Sequence, residues 1–183
     1  NIGFELGILE KFTMEADYFH EYRTNILMTR ATIPASMGLQ SVERANVGEA
    51  RAQGVDGSVN YSTTIGQNIW LKGRANLTYA TSELVVYEEP NYEQEYRKHK
   101  GHPLSQQWGL IAERLFIDDV EVADAPEQQF GEYMAGDIKY HDVSGDGRIS
   151  AEDMVPIGFP TDPEIIYGFG ISSGYKNIDF SCF

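Results

Sequence analysis

The feature that most constrains this chain is a strict two-residue alternation held over unusually long runs. Phe12, Met14, Ala16, Tyr18, His20 and Tyr22 alternate with Thr13, Glu15, Asp17, Phe19 and Glu21, and only Phe19 breaks the polar side. A period of two places each set on its own face of a β-strand. Ile2, Phe4, Leu6 and Ile8 alternate likewise, and the short link "LEK" predicts a hairpin between the two runs. Val55, Gly57, Val59 and Tyr61 form a third run. Ile69, Leu71, Gly73, Ala75, Leu77 and Tyr79 form a fourth, with a turn near "TTIGQN" between them. Ile165, Tyr167, Phe169 and Ile171, a turn at "YKN", then Ile178, Phe180 and Cys182 complete a third pair.

These runs are long for globular strands, which usually span about five or six residues. Charged residues such as Glu15, Asp56, Lys72 and Arg74 fall inside the runs, always on the polar side. A water-soluble sandwich and a membrane β-barrel share this alternation. Long strands, short turns and two long loops favour the barrel, with Tyr18, Tyr22, Tyr61, Tyr79, Tyr167 and Phe169 as candidate girdle residues. The residues alone therefore predict an all-β fold of antiparallel strands, with a soluble sandwich and part of a transmembrane β-barrel as the two readings. In the barrel the apolar face would meet outer-membrane lipid.

The 183 residues suffice for one domain, and the net charge of −14 argues against a nucleic-acid partner, which needs a basic face. Cys182 stands alone, so neither a disulfide framework nor a thiolate metal site is expected. No apolar run is long enough for a membrane-spanning helix. The chain opens on "NIGFELGI" and stops on "DFSCF", in mid-pattern at both ends, which reads as a piece of a longer protein.

Two loops interrupt the strands. Residues 31–49 hold Pro, Gly and small polar residues and should be irregular. Residues 81–163 are too long for a structureless link and should fold locally, with Glu93 and Arg97 spaced for a helical turn. The acid concentrates here, since residues 81–153 carry 17 of the 28 Asp and Glu. Within this region "DVSGDGRISAED", residues 142–153, matches an EF-hand or dockerin-like calcium loop. Asp142, Ser144 and Asp146 occupy positions 1, 3 and 5, and Gly147 supplies the sharp turn at position 6. Arg148 would offer its carbonyl, Ser150 would act through water, and Asp153 closes the set. Ser144 is a weaker ligand than Asp or Asn, Asp153 is shorter than the usual Glu, and "GDIKYH" before the loop reads as a strand. A metal-free acidic turn is the competing reading.

A family resemblance follows from longer words. "GDIKY" at 136–140, the acidic loop, "IGFP" at 157–160, "YGF" at 167–169 and "YKNID" at 175–179 follow one another as in the signature segment of SusC/RagA-type TonB-dependent outer-membrane transporters of Bacteroidetes. "NVGE" at 46–49, "GVD" at 54–56, "WGLIAERLF" and "ADYFHEYRTNIL" also resemble family segments, although Arg114 stands where Gly is more frequent. The resemblance implies a C-terminal portion of the barrel, with residues 81–163 extracellular and the plug domain and TonB box outside this chain. It implies import of oligosaccharides or peptides across the bacterial outer membrane, with a SusD-like surface lipoprotein as partner and TonB engaged through the missing N-terminal region. Calcium in the 142–153 loop would order the excursion.

The competing function is a soluble calcium-stabilised β-domain that binds glycan or a protein partner. No enzyme is expected: there is no GxSxG motif, and the adjacent acids Glu88–Glu89 and Asp118–Asp119 read as solvated. His99 and His102 in "KHKGH" lack zinc-ligand spacing, and Trp70, Trp108, Tyr87 and Tyr92 read as packing or girdle residues before sugar platforms.

Overall fold

In the computed structural model, which describes residues 1–38, 41 and 43–183, one six-stranded antiparallel sheet dominates. Its strands are β1 (Ile2–Ile8), β2 (Phe12–Thr29), β3 (Arg44–Ile65), β4 (Ile69–Val86), β11 (Ile165–Tyr175) and β12 (Ile178–Cys182), paired in that order. Each strand hydrogen-bonds the next in this order, and residues 87–164 intervene between β4 and β11 without entering the sheet.

The strands outrun the alternation that reveals them. β2 continues past Tyr22 to Thr29, and β3 begins at Arg44, so the irregular part of the loop expected over 31–49 ends there. Leu39, Gln40 and Val42 of that loop lie outside the described residues. The excursion expected from residue 81 leaves the sheet at Tyr87, because Thr81–Val86 still pair with Gln53–Glu49. A register shift between Glu49 and Ala50 and another between Arg23 and Ile26 explain why the period fades there.

The connections divide by end. The β1–β2, β3–β4 and β11–β12 turns at residues 9–11, 66–68 and 176–177 are tight and share one end. Leu9, Glu10, Gly66 and Lys176 take positive φ there, as reversing a chain in two or three residues requires. Residues 30–43 and 87–164 leave from the other end.

The excursion is a folded cap of short pieces. β5 (Gln107–Gly109) pairs with β10 (Val155–Ile157), and β6 (Ala112–Leu115) pairs with β8 (Ile138–Tyr140). β7 (Glu127–Gln128) runs parallel to β9 (Arg148–Ile149), and α1 spans Asp119–Asp124. Phe116 and Ile149 form its small buried centre, with Tyr133 stacked on Phe116 at 5.8 Å. It docks on the sheet through Leu84, whose N–H donates to His102 and whose carbonyl accepts from Gly101. The helical turn expected around Glu93 and Arg97 shrinks to a 3₁₀ turn at Glu95–Arg97, and Arg97 pairs with Glu152 instead of Glu93.

Candidate functional site

Strand register turns the alternation into two opposed surfaces. Residues paired across antiparallel strands share a face, so the pairings can be read as rows. Ile2, Tyr18, Val55, Tyr79 and Ile165 form one row. Below it lie Phe4, Ala16, Gly57, Leu77 and Tyr167, then Leu6, Met14, Val59, Ala75 and Phe169. The last row is Ile65, Ile69, Tyr175 and Ile178. This face has no covering layer, and Tyr167 and Phe169 are each 71% exposed. An apolar surface of this extent calls for an apolar medium.

Its height fits a membrane. From Val55 to Ile65 the band covers ten residue steps of β3. At about 3.4 Å per step and a barrel tilt of about 40°, that is roughly 25 Å, the height of the lipid-facing band of outer-membrane barrels. Above the Tyr18–Tyr79 row the same face turns polar with His20, Gln53 and Thr81, then Tyr22, Arg51 and Glu83. Tyr18 and Tyr79 sit at the upper boundary as girdle residues should. Tyr61, Tyr167 and Phe169 lie inside the band. Tyr22 stands above it, donating to Glu49. The girdle assignment from sequence is corrected at those four positions, since alternation fixes the face but not the height.

The opposite face carries Asp17, Asp56 and Thr78 in one row, Glu5, Glu15, Ser58, Asn76 and Gly168 in the next, and Thr13, Asn60, Arg74 and Gly170 below. Tyr18, Val59, Leu71, Leu77 and Tyr167 thus share one face while Asp17, Ser58, Lys72 and Asn76 share the other. Phe19, the exception in the pattern, lies on the polar side over Gly54, where an added Cβ would come within 2.5 Å of its ring.

The acidic loop closes on its own backbone. Asp142 Oδ1 accepts from Gly145 N–H at 2.6 Å and Oδ2 from Gly147 N–H at 2.8 Å. Asp146 accepts from Arg148 N–H at 2.8 Å. Asp153 is fully buried and accepts from Ser144 N–H at 2.9 Å and Ser150 N–H at 2.8 Å, while Ser150 caps the following turn. Burial pulls the Asp142 carboxyl up, but the N–H groups of Gly147 and Gly145, helped by the Ser144 hydroxyl and Asp146 N–H, leave it below the usual carboxylate range. Gly147 has φ +80°, the turn that position 6 requires.

For calcium, the oxygen chemistry of Asp142, Ser144, Asp146, Arg148, Ser150 and Asp153 is suitable. The arrangement is less so, because among the described residues no three Asp, Glu, His or Cys side chains are gathered for a metal. The three carboxylates are engaged with backbone donors instead.

Other expected residues have local partners. Glu88 accepts from Thr32 and pairs with Arg30 at 2.5 Å, which holds its carboxyl at about 2 and ties the cap to the β2–β3 loop. Glu89 meets the backbone and Nδ1 of His99, whose ring is sandwiched near Tyr87 and Trp108 at 5.2 and 4.4 Å. His99 is therefore half-buried and packed, not a freely solvated loop residue. Asp118 caps α1 through Glu121 N–H. Arg114, the departure from the family word, grips Glu121, which also meets Ile117 N–H and Lys139.

Comparison with known proteins agrees with this architecture. The family model described as "TonB dependent receptor-like, beta-barrel" matches residues 1–163. The TonB-dependent receptor P26 of Formosa agariphila is 27% identical over 179 residues, covering 91% of this chain and 17% of that protein. Among solved structures, that of the RagAB peptide transporter matches with a TM-score of 0.64 at 20% identity, over 98% of this chain and 19% of that one. The RagAB peptide importer in its closed-closed state gives 0.63 at 18% identity, with the same coverage. The chain thus spans about a fifth or less of the length of these relatives. A six-stranded antiparallel sheet with an apolar band of membrane height, matched to that family along most of its length, belongs to the TonB-dependent receptor-like β-barrel family.

Proposed function

We propose that this chain forms part of the barrel wall of an outer-membrane transporter that imports peptide or oligosaccharide with TonB-derived energy. The observation that carries the reading is the row structure, an apolar band of roughly 25 Å on one face backed by a polar face on the other. The polar face lines the interior of the barrel. The tight turns face the periplasm, and residues 87–164 stand outside, where they contact a SusD-like lipoprotein. The RagAB structures, described as a peptide importer, support peptide as the substrate class; the glycan alternative rests on the sequence resemblance alone.

Single cysteines in a Cys182→Ser background of the full-length transporter test the wall. A water-soluble thiol reagent should label Asp17→Cys, Ser58→Cys, Lys72→Cys and Asn76→Cys. It should spare Tyr18→Cys, Val59→Cys, Leu71→Cys, Leu77→Cys and Tyr167→Cys. The reverse pattern would sink the assignment.

The 142–153 loop supports a second, local reading as a calcium site. The spacing of Asp142, Ser144, Asp146 and Asp153 around the turn at Gly147 favours it. Calorimetry on the full-length protein should then show a calcium signal that Asp142→Ala or Asp146→Ala abolishes. Absence of a signal in the unsubstituted protein would leave a metal-free turn held by its own N–H groups.

A further inference from the structure

The adjacent acids Glu88 and Glu89, which the sequence alone reads as solvated, are both withdrawn from solvent, with side chains 13% and 12% exposed. They sit where the chain leaves β4, between two segments that the sheet does not connect. One is the β2–β3 loop, residues 30–43, and the other is the root of the cap, residues 98–104. Withdrawing two neighbouring carboxylates from water is costly unless each finds donors. Each has its own set.

Glu88 grips the loop. Its carboxylate accepts from the N–H and the hydroxyl of Thr32, and Arg30 Nε lies 2.5 Å from Oε2. Arg30 also closes the base of the loop, donating its N–H to the Glu43 carbonyl at 2.9 Å. The Glu88 N–H meets Met28 Sδ at 3.3 Å. Because β3 lies between β2 and β4, these contacts span a whole strand. Gly48 of β3 makes the crossing possible. Met28 leans over it so closely that an added Cβ would stand 2.1 Å from Met28 Cε.

Glu89 grips the cap. Oε2 accepts from His99 N–H at 2.9 Å and lies 3.0 Å from His99 Nδ1, while Oε1 accepts from Lys100 N–H at 3.4 Å. The turn so held continues into Gly101 and His102, whose backbones bond Leu84 of β4, and Leu104 N–H donates to Ser82. The His99 ring packs near Tyr87 and Trp108, and Trp108 lies in β5, which pairs with β10. One peptide bond separates the two acids. Pro90 follows and disfavours helical backbone at Glu89, so the junction between the two grips is short and extended.

We propose that Glu88 and Glu89 act together as a coupling pin that makes the β2–β3 loop and the root of the cap one conformational unit. Displacing either acid displaces the other, so a partner or ligand that engages the cap also shifts the order of residues 30–38. The reverse holds by linkage. The pin uses only contacts made within this chain, and it operates whichever solute the barrel carries.

Hydrogen–deuterium exchange of the purified full-length transporter at pH 7 provides the test. It is read at residues 30–38 and 98–104, with residues 69–80 of β4 as the internal reference. Thr32→Val keeps the side-chain shape and removes one donor from Glu88. Exchange should nevertheless accelerate in both segments, by about threefold to tenfold, the size of one lost hydrogen bond. Glu89→Gln weakens the grip on the cap, and it should accelerate residues 30–38 as well as 98–104. Thr32→Val in a Glu88→Gln background should add less than it does alone, because the two act on one contact. Acceleration confined to residues 30–38 in Thr32→Val and to residues 98–104 in Glu89→Gln overturns the pin. So does full additivity of Thr32→Val and Glu88→Gln. Faster exchange in the β4 reference overturns it too, since that is a general loosening of the sheet.

Discussion

At the scale of single residues, the sheet depends on glycines that its neighbours lie across. A Cβ on Gly54 would stand 2.2 Å from the Tyr79 carbonyl oxygen and 2.5 Å from the Phe19 ring. The first contact is backbone, so no rotamer change relieves it. Gly73 has nothing within 4 Å of the same construction. Gly54→Ala should therefore destabilise the barrel by about 1–3 kcal/mol, as overpacking does. Gly73→Ala should be neutral. Heating the full-length protein in mild detergent and following its unfolding by electrophoresis should show a lower transition for the first and none for the second. This contrast was not visible in the sequence, where both are glycines on strands. It depends on which cross-strand neighbour leans over each position.

At the scale of elements, the cap is held by charge and capping more than by core. α1 is only six residues long, too short to persist on propensity. The Asp118 cap and the Arg114–Glu121–Lys139 cluster fasten it to β6 and β8. Arg114 is the main cause holding the Glu121 carboxyl at about 2, with Ile117 N–H and Lys139 adding to it. The folded value is below the ordinary 4.5, so this stabilisation is complete above pH 4.5 and is lost as pH falls towards 2. Deuterium uptake around β6, α1 and β8, corrected for intrinsic exchange, should rise across that window. Glu121→Gln should show the raised uptake at pH 7 already and lose the pH dependence. The existence of local structure in this region was legible from its length. Its pairing was not, because strands of two to four residues such as β7 and β9 are too short to carry a period.

At the scale of the whole molecule, the two ends of the sheet have different work. The three tight turns are two or three residues long, whereas the β2–β3 loop and the cap share the other end and are joined by Arg30, Thr32 and Glu88. If the cap contacts a lipoprotein outside the cell, protease added to intact cells should cut within 87–164, and truncating that region should reduce co-purification of the lipoprotein. Cutting only from the periplasmic side would overturn the orientation. Undiminished co-purification would place the contact elsewhere.

The sequence by itself determined the all-β class, the three hairpins β1–β2, β3–β4 and β11–β12, and the assignment of Tyr18, Val59, Leu77, Asp17 and Ser58 to opposite faces. Each follows from a local rule, since side chains alternate in a strand whatever lies beside it and short links force neighbours to pair, whereas the β2–β3 and β4–β11 pairings across long loops were decided by the tertiary structure. Tertiary structure alone decided the rows. Register across five interfaces set the height of Tyr22 against Tyr18 and put Arg74 among Asn60, Asn76 and Gly168 at mid-band. It also turned the carboxylates of Asp142, Asp146 and Asp153 towards backbone N–H groups. Height and neighbourhood depend on residues far apart in the chain, and no local pattern encodes them.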